Sequence, residues 1–220
     1  MKQVCSESDA IALVLETHQY KQRMSCLQDG YTTKPDGPFN DRLFCMSATS
    51  LADVATLING IVRGGAKLDS AQLEKIAETV ARVFSVHPDE VALLYLTPDG
   101  KFLRFRVPEQ LQTVGEIPMT SGTALAVRTA REKRPEIVNH FNIVPHASVF
   151  EAVKLNDERH HPIQKIMSAP ILSAGKVLGV MQISRKARTA KGAKDFLPQD
   201  LRQLVSITEL LAPDLPLWQD

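Results

Sequence analysis

Four histidines, His140, His146, His160 and His161, fall within one stretch of this chain, with Glu151, Asp157 and Glu158 among them. Imidazole and carboxylate are ordinary ligands of zinc or iron, and the His140–His146 spacing lies at the edge of what such sites use. One reading is therefore a metal-dependent enzyme built on segment 140–161. Against it stands His160-His161-Pro162, because the residue before a proline favours extended backbone. Neighbouring side chains on extended backbone point to opposite sides, so His160 and His161 would not share a metal. A neutral histidine in a pocket wall would use the same residues without one.

Nucleophilic chemistry has less to work with. The three cysteines, Cys5, Cys26 and Cys45, all precede residue 46. Their spacing matches no zinc pattern, and an odd number builds no disulfide framework, so reduced thiols are expected. Ser121 and Ser168 lack the Gly-x-Ser-x-Gly elbow of a serine hydrolase. The basic run Arg185, Lys186, Arg188, Lys191, Lys194 has only Phe196 as an aromatic neighbour. Single-stranded nucleic acid needs stacking platforms beside the charge, so a solvated connector is the expectation.

A small-molecule site needs an apolar wall and a few orienting polar groups. Phe150 offers the wall; Asn139, His146 and Glu151 offer polar groups on the chain's most irregular segment, 139–161. Ser168 and Gln182 are polar exceptions in two apolar runs, Ile166–Leu172 and Val177–Ser184. These six residues are the expected ligand contacts, with no cofactor and no catalytic residue assigned.

The elements that must position them begin with those two runs. Ser173-Ala174-Gly175-Lys176 joins them as a tight hairpin, Gly175 supplying positive φ. A regular hairpin closed by Ala174-Gly175 would set Leu172 opposite Val177, Ala169 opposite Val180 and Pro170 opposite Gly179. Both faces are mostly apolar, which places the hairpin in the middle of a covered sheet. Pro170 lacks a donor and needs an unpaired position.

Upstream, Ser50 and Asp53 open a helix carrying Leu51, Val54, Ala55, Ile58, Ile61 and Val62 on one stripe, stopped by Gly64-Gly65. Asp69 and Gln72 form a capping box for a second helix with Leu73, Ile76, Ala77, Val80 and Phe84. The period then becomes strand-like: Val91–Leu96 and Lys101–Val107 flank the turn Thr97-Pro98-Asp99-Gly100. Arg104 and Arg106 predict one half-exposed face for the second strand. A helix opening at Gly122 runs to Pro135, followed by the short strand Glu136–Asn139. Pro198 and Asp200 start a last helix lined by Leu201, Leu204, Val205, Thr208, Leu211 and Ala212. Leu57, Val83, Ile207 and Leu210 lie off the main stripes, so a monomer would leave them exposed; a homodimer is expected on that ground.

The order helix, hairpin, helix, strand, irregular segment, hairpin, helix implies an α+β fold. Its antiparallel sheet carries N- and C-terminal helices on one face and an irregular ligand-side lid on the other. The expected divisions are an N-terminal extension (1–45), an N-terminal helix (46–67), the main domain (68–213) and a C-terminal tail (214–220). Across 220 residues, 44% are apolar and the net charge is +1, so no global field points to nucleic acid or a membrane. No apolar run nears the roughly 20 residues that cross a bilayer, and no signal-peptide core opens the chain; a cytoplasmic location is expected.

The run SAPILSAGKVLGVMQIS followed by DFLPQDLRQLVSITELLA resembles the C-terminal half of a GAF domain, and GEIPMTSGTALAVRTAREKRPEIVN resembles that family's preceding helix and short strand. The resemblance implies a GAF-like regulatory or sensor domain that binds a small molecule and signals through dimer helices or a downstream partner protein. Cyclic-nucleotide-binding members carry Asn-Lys, a spacer, then Phe-x-x-x-Asp-Glu; here Lys186, Phe196 and Asp200 match, while Arg185 and Leu201 depart. Lys186 and Asp200 are then expected to pair as a clasp. Members with thiol chemistry, including free methionine sulfoxide reductases, use cysteine within the domain, and residues 46–220 contain none.

Overall fold

The computed structural model describes residues 49–63, 69–113, 115–141 and 161–213. Helix α1, Leu51–Arg63, is closed at its first turn by Ser50, whose backbone N–H and hydroxyl donate to Asp53 Oδ2 at 2.7 and 3.1 Å. Helix α2, Ser70–Phe84, opens on the expected capping box. Gln72 N–H donates to Asp69 Oδ1 at 2.8 Å, and Asp69 N–H to Gln72 Oε1 at 3.2 Å. These contacts satisfy donors that a helix start otherwise leaves bare.

Strands β1 (Val91–Leu96), β2 (Phe102–Val107), β3 (Glu116–Pro118), β4 (Glu136–Val138), β5 (Ile163–Ser173) and β6 (Lys176–Lys186) form one six-stranded sheet in the order β3-β2-β1-β6-β5-β4. Every neighbouring pair is antiparallel. Helix α3, Leu125–Glu132, precedes β4, and α4, Pro198–Leu211, follows β6.

Along β2, Leu103 and Phe105 are buried while Arg104 between them is exposed, as the alternation predicts. Pro170 lies past the end of β4, whose ladder with β5 ends at Glu136 opposite Ser168, so among the described residues no strand pairs with the outer edge of β5 there.

The hairpin register departs from expectation. Leu172 does face Val177, but Ile171 faces Gly179, Pro170 faces Val180 and Ala169 faces Met181. Leu178 is the extra residue of a bulge on β6, which shifts the pairing by one for the rest of the ladder. The residue after the bulge meets a steric limit of its own on the other neighbouring strand. A Cβ at Gly179 would overlap the backbone oxygen of Leu94, so only glycine allows β6 to approach β1 that closely. The result of the bulge is that Ser168 stands directly opposite Gln182, on the same face; an unbulged ladder of the same residues would have put them on opposite faces.

One face, through Val91, Leu93, Met167, Ala169, Ile171, Met181 and Ile183, packs against α1, α2 and α4. The other, through Leu94, Leu103, Phe105 and Val180, packs against α3, whose Ala126, Val127 and Ala130 are buried there. The exposure expected off the helical stripes is corrected: Ile207 is fully buried, and Leu57, Val83 and Leu210 are partly buried against the same core. Helix α4 touches both β5 and α1, so two of its flanks are covered instead of one. No helix among the described residues is long and apolar enough to cross a membrane.

Candidate functional site

A cleft of about 210 Å³ opens where the entry to α3 meets β4. Gly122, Thr123, Ala124 and Leu125 form one side; Val138 and Phe141 form the other, with Arg128 between them. The apolar walls come from the sequence pattern. Leu125, on the first turn of α3, clusters with Phe141 and with Ile166 of β5, and Val138 packs against them.

The polar side of the cleft is a fixed ion pair. Arg128 Nε donates to Glu136 Oε1 at 3.0 Å and Nη2 to Oε2 at 2.6 Å, a two-point fit that suits guanidinium and carboxylate planes. The hydrogen bond that Arg128 donates to Glu136 raises the guanidinium pKa above its ordinary value, against the opposing effect of burial. The Arg128 side chain keeps 43% of its exposure, so part of it remains open to solvent.

Behind the ion pair lies a buried hydroxyl–amide network. Glu136 stands opposite Ser168 on β5, and Ser168 stands opposite Gln182 on β6. The Thr129 hydroxyl of α3 lies 2.7 Å from Ser168 Oγ and 3.0 Å from the carbonyl oxygen of Leu125; Gln182 Nε2 donates to Ser168 Oγ at 3.2 Å. Ser168 is fully buried and Gln182 nearly so. The two residues picked out as polar exceptions thus meet each other beneath α3, although neither lines the cleft itself.

Asn139 is placed differently. Its Nδ2 donates to the carbonyl oxygen of Phe196 at 3.0 Å, and its Oδ1 accepts from Phe196 N–H at 2.9 Å. His146, Phe150, Glu151 and His160 lie outside the described residues, as do Cys5, Cys26 and Cys45. Among the described residues no group of three or more His, Cys, Asp or Glu side chains could hold a metal ion. His140 faces the charge of Asp195, which also pairs with Lys165 Nζ at 2.6 Å.

Arg128, Glu136, Val138 and Phe141 were not among the residues expected at the site. A signal existed: Arg128 is the only charged residue in ALAVRTA (124–130), and Glu136 opens the otherwise apolar triplet of β4.

The expected clasp of Lys186 with Asp200 is also corrected. Lys186 Nζ donates to Asp89 Oδ2 at 2.7 Å, whereas Asp200 Oδ2 accepts the N–H of Leu197 at 2.8 Å and caps α4. Asp200 is more useful to its own helix, where three N–H groups need acceptors. Nor is the start of the basic run a solvated connector. Arg185 Nη1 donates to the carbonyl oxygens of Lys194 and Asp195, both at 2.9 Å, and its guanidinium lies 4.0 Å from the centroid of the Phe196 ring.

One family model, that of the GAF domain, matches residues 70–214. The chain belongs to the GAF domain family. Solved GAF structures share its fold at low identity. The GAF domain of an Acinetobacter phosphoenolpyruvate-protein phosphotransferase has a TM-score of 0.54 and 14% identity, covering 75% of this chain and 92% of that one. Free methionine-R-sulfoxide reductase from Neisseria meningitidis, solved with its substrate, gives 0.54 and 14% over 85% and 95% of the two chains. A methyl-accepting chemotaxis protein fragment gives 0.52 and 12% over 74% and 94%. No curated protein matches the chain.

Proposed function

We propose that this GAF domain is a regulatory sensor that takes a small molecule in the cleft between α3 and β4. The single observation that carries the reading is the composition of that cleft. Apolar walls from Leu125, Val138 and Phe141 face the half-exposed Arg128, itself oriented by Glu136. An apolar concavity with one prepositioned cation suits a ligand with a compact apolar body and a polar or anionic group. Ser168, Gln182 and Thr129 support the site from behind by holding α3 on the sheet, and Asn139 acts at its edge. Residues 46–220 hold no cysteine, so the domain has no thiol with which to act on what it binds. Output would pass through a homodimer or a downstream partner protein, as in the signalling contexts where GAF domains occur.

The test begins with native mass spectrometry of the protein taken directly from cells. A retained small molecule is expected, and it should be lost from Gly122→Leu, which adds bulk where a Cβ meets open space at the cleft rim. A ligand that Gly122→Leu retains at full occupancy would place the site elsewhere.

A further inference from the structure

Asn139 directly follows the cleft residue Val138 and stands two positions before the cleft residue Phe141. Its carboxamide reaches away along a different path. Both ends of the amide are spent on the backbone of Phe196, at 3.0 and 2.9 Å, in a two-point clasp spanning 57 residues of sequence. Two bonds from one planar group fix orientation as well as distance, so a rotation of the β4 end must be followed at Phe196.

Phe196 is well placed to pass such a movement on. It is 2% exposed, it lies under the Arg185 guanidinium, and α4 begins two residues later at Pro198. Helix α4 then runs through the helical layer, burying Leu204, Ile207 and Leu211. In the other direction, Val138 packs on the cluster of Leu125, Phe141 and Ile166 at the cleft wall. One contiguous series of contacts therefore joins the cleft on one face of the sheet to a helix on the other. Helix α4 also packs on β4 and β5 directly, and the Asn139 amide is the polar link among these contacts.

We infer that Asn139 couples the state of the cleft to α4 through its two-point clasp on Phe196. This rests on reading the cleft as a ligand site, but its test needs no ligand. Phe141→Ala alters one wall of the cleft. In native-state hydrogen exchange, the amides of Leu201 to Leu204 should then exchange at least about fivefold faster than in the parent protein. In an Asn139→Ala background the same Phe141→Ala substitution should change them less than about twofold. If Asn139 were only a stabilising contact, Phe141→Ala would act by the same factor in both backgrounds. That result overturns the inference, and so does an α4 that does not respond to Phe141→Ala at all. Should Asn139→Ala fail to fold, Asn139→Asp keeps the acceptor for Phe196 N–H, loses the donor, and is judged by the same comparison. An unsuccessful search for a ligand would leave this result standing, and additive exchange would leave the cleft assignment standing.

Discussion

Ser168 shows how much one hydroxyl can hold when it is buried. It accepts from Gln182 and lies within bonding distance of Thr129, so it ties β5, β6 and α3 together at a single atom. Ser168→Ala would leave the Gln182 amide buried without its acceptor, at a cost of about 1–3 kcal/mol. Urea unfolding should show that loss as a lower midpoint at an unchanged m-value. The Asp89–Lys186 pair makes a prediction with a sign. Burial pushes the Asp89 carboxyl up, but the hydrogen bond and charge of Lys186, with help from His87, hold it below its ordinary value. The folded state therefore binds that proton less readily than the unfolded chain does. The stabilisation is fully present above about pH 4 and is lost as pH falls through the lower folded value. Lys186→Met should be less stable than the parent at pH 7, and the gap should narrow toward about pH 2.5. Urea midpoints at the two pH values check this, and a constant gap would refute it.

The turn that joins β5 and β6 carries a residue working against its own preference. Ala174 has φ 46° and Gly175 φ 74°, the two positive values that a two-residue turn of this hand requires. Only the second is glycine. Replacing Ala174 with Gly should remove roughly 1 kcal/mol of left-handed strain and raise the thermal midpoint; a lower midpoint would show that the turn relies on the alanine methyl. This hairpin also shows what could be read in advance. Its existence, its loop and its place inside a covered sheet follow from two apolar runs around Ala174-Gly175, because those are local signals. The bulge at Leu178 does not, because nothing in the two apolar runs marks the extra residue; the need for glycine at 179 is likewise set by the Leu94 backbone, on a strand far away in sequence. Asn139 is similar. As the last polar residue of a short strand it reads as a pocket group, and only the fold shows Phe196 waiting 57 positions on. Capping boxes such as Asp69 and Gln72 were legible because donor and acceptor lie three residues apart.

At the scale of the whole molecule, the helical layer offers a prediction about assembly. Leu51, Leu57, Leu201, Val205 and Leu210 are only partly buried against the core, on α1 and α4. If these two helices meet their counterparts in a two-fold dimer, light scattering at tens of micromolar (~10⁻⁵ M) should report twice the 24.3 kDa of one chain. A mass of one chain at that concentration would remove the dimer from the signalling scheme and leave a partner protein to receive the movement of α4. The bulge carries a consequence of another kind. Because side chains alternate strictly along a strand, Leu178 acts as a parity bit for everything downstream of it on β6. Paired regularly, with no bulge, the same residues would set Met181 in place of Gln182 opposite Ser168, whereas a relative lacking residue 178 would keep Gln182 there with no bulge at all. The chemistry behind the cleft thus depends on whether that one residue is bulged out, with no substitution at any position that lines it.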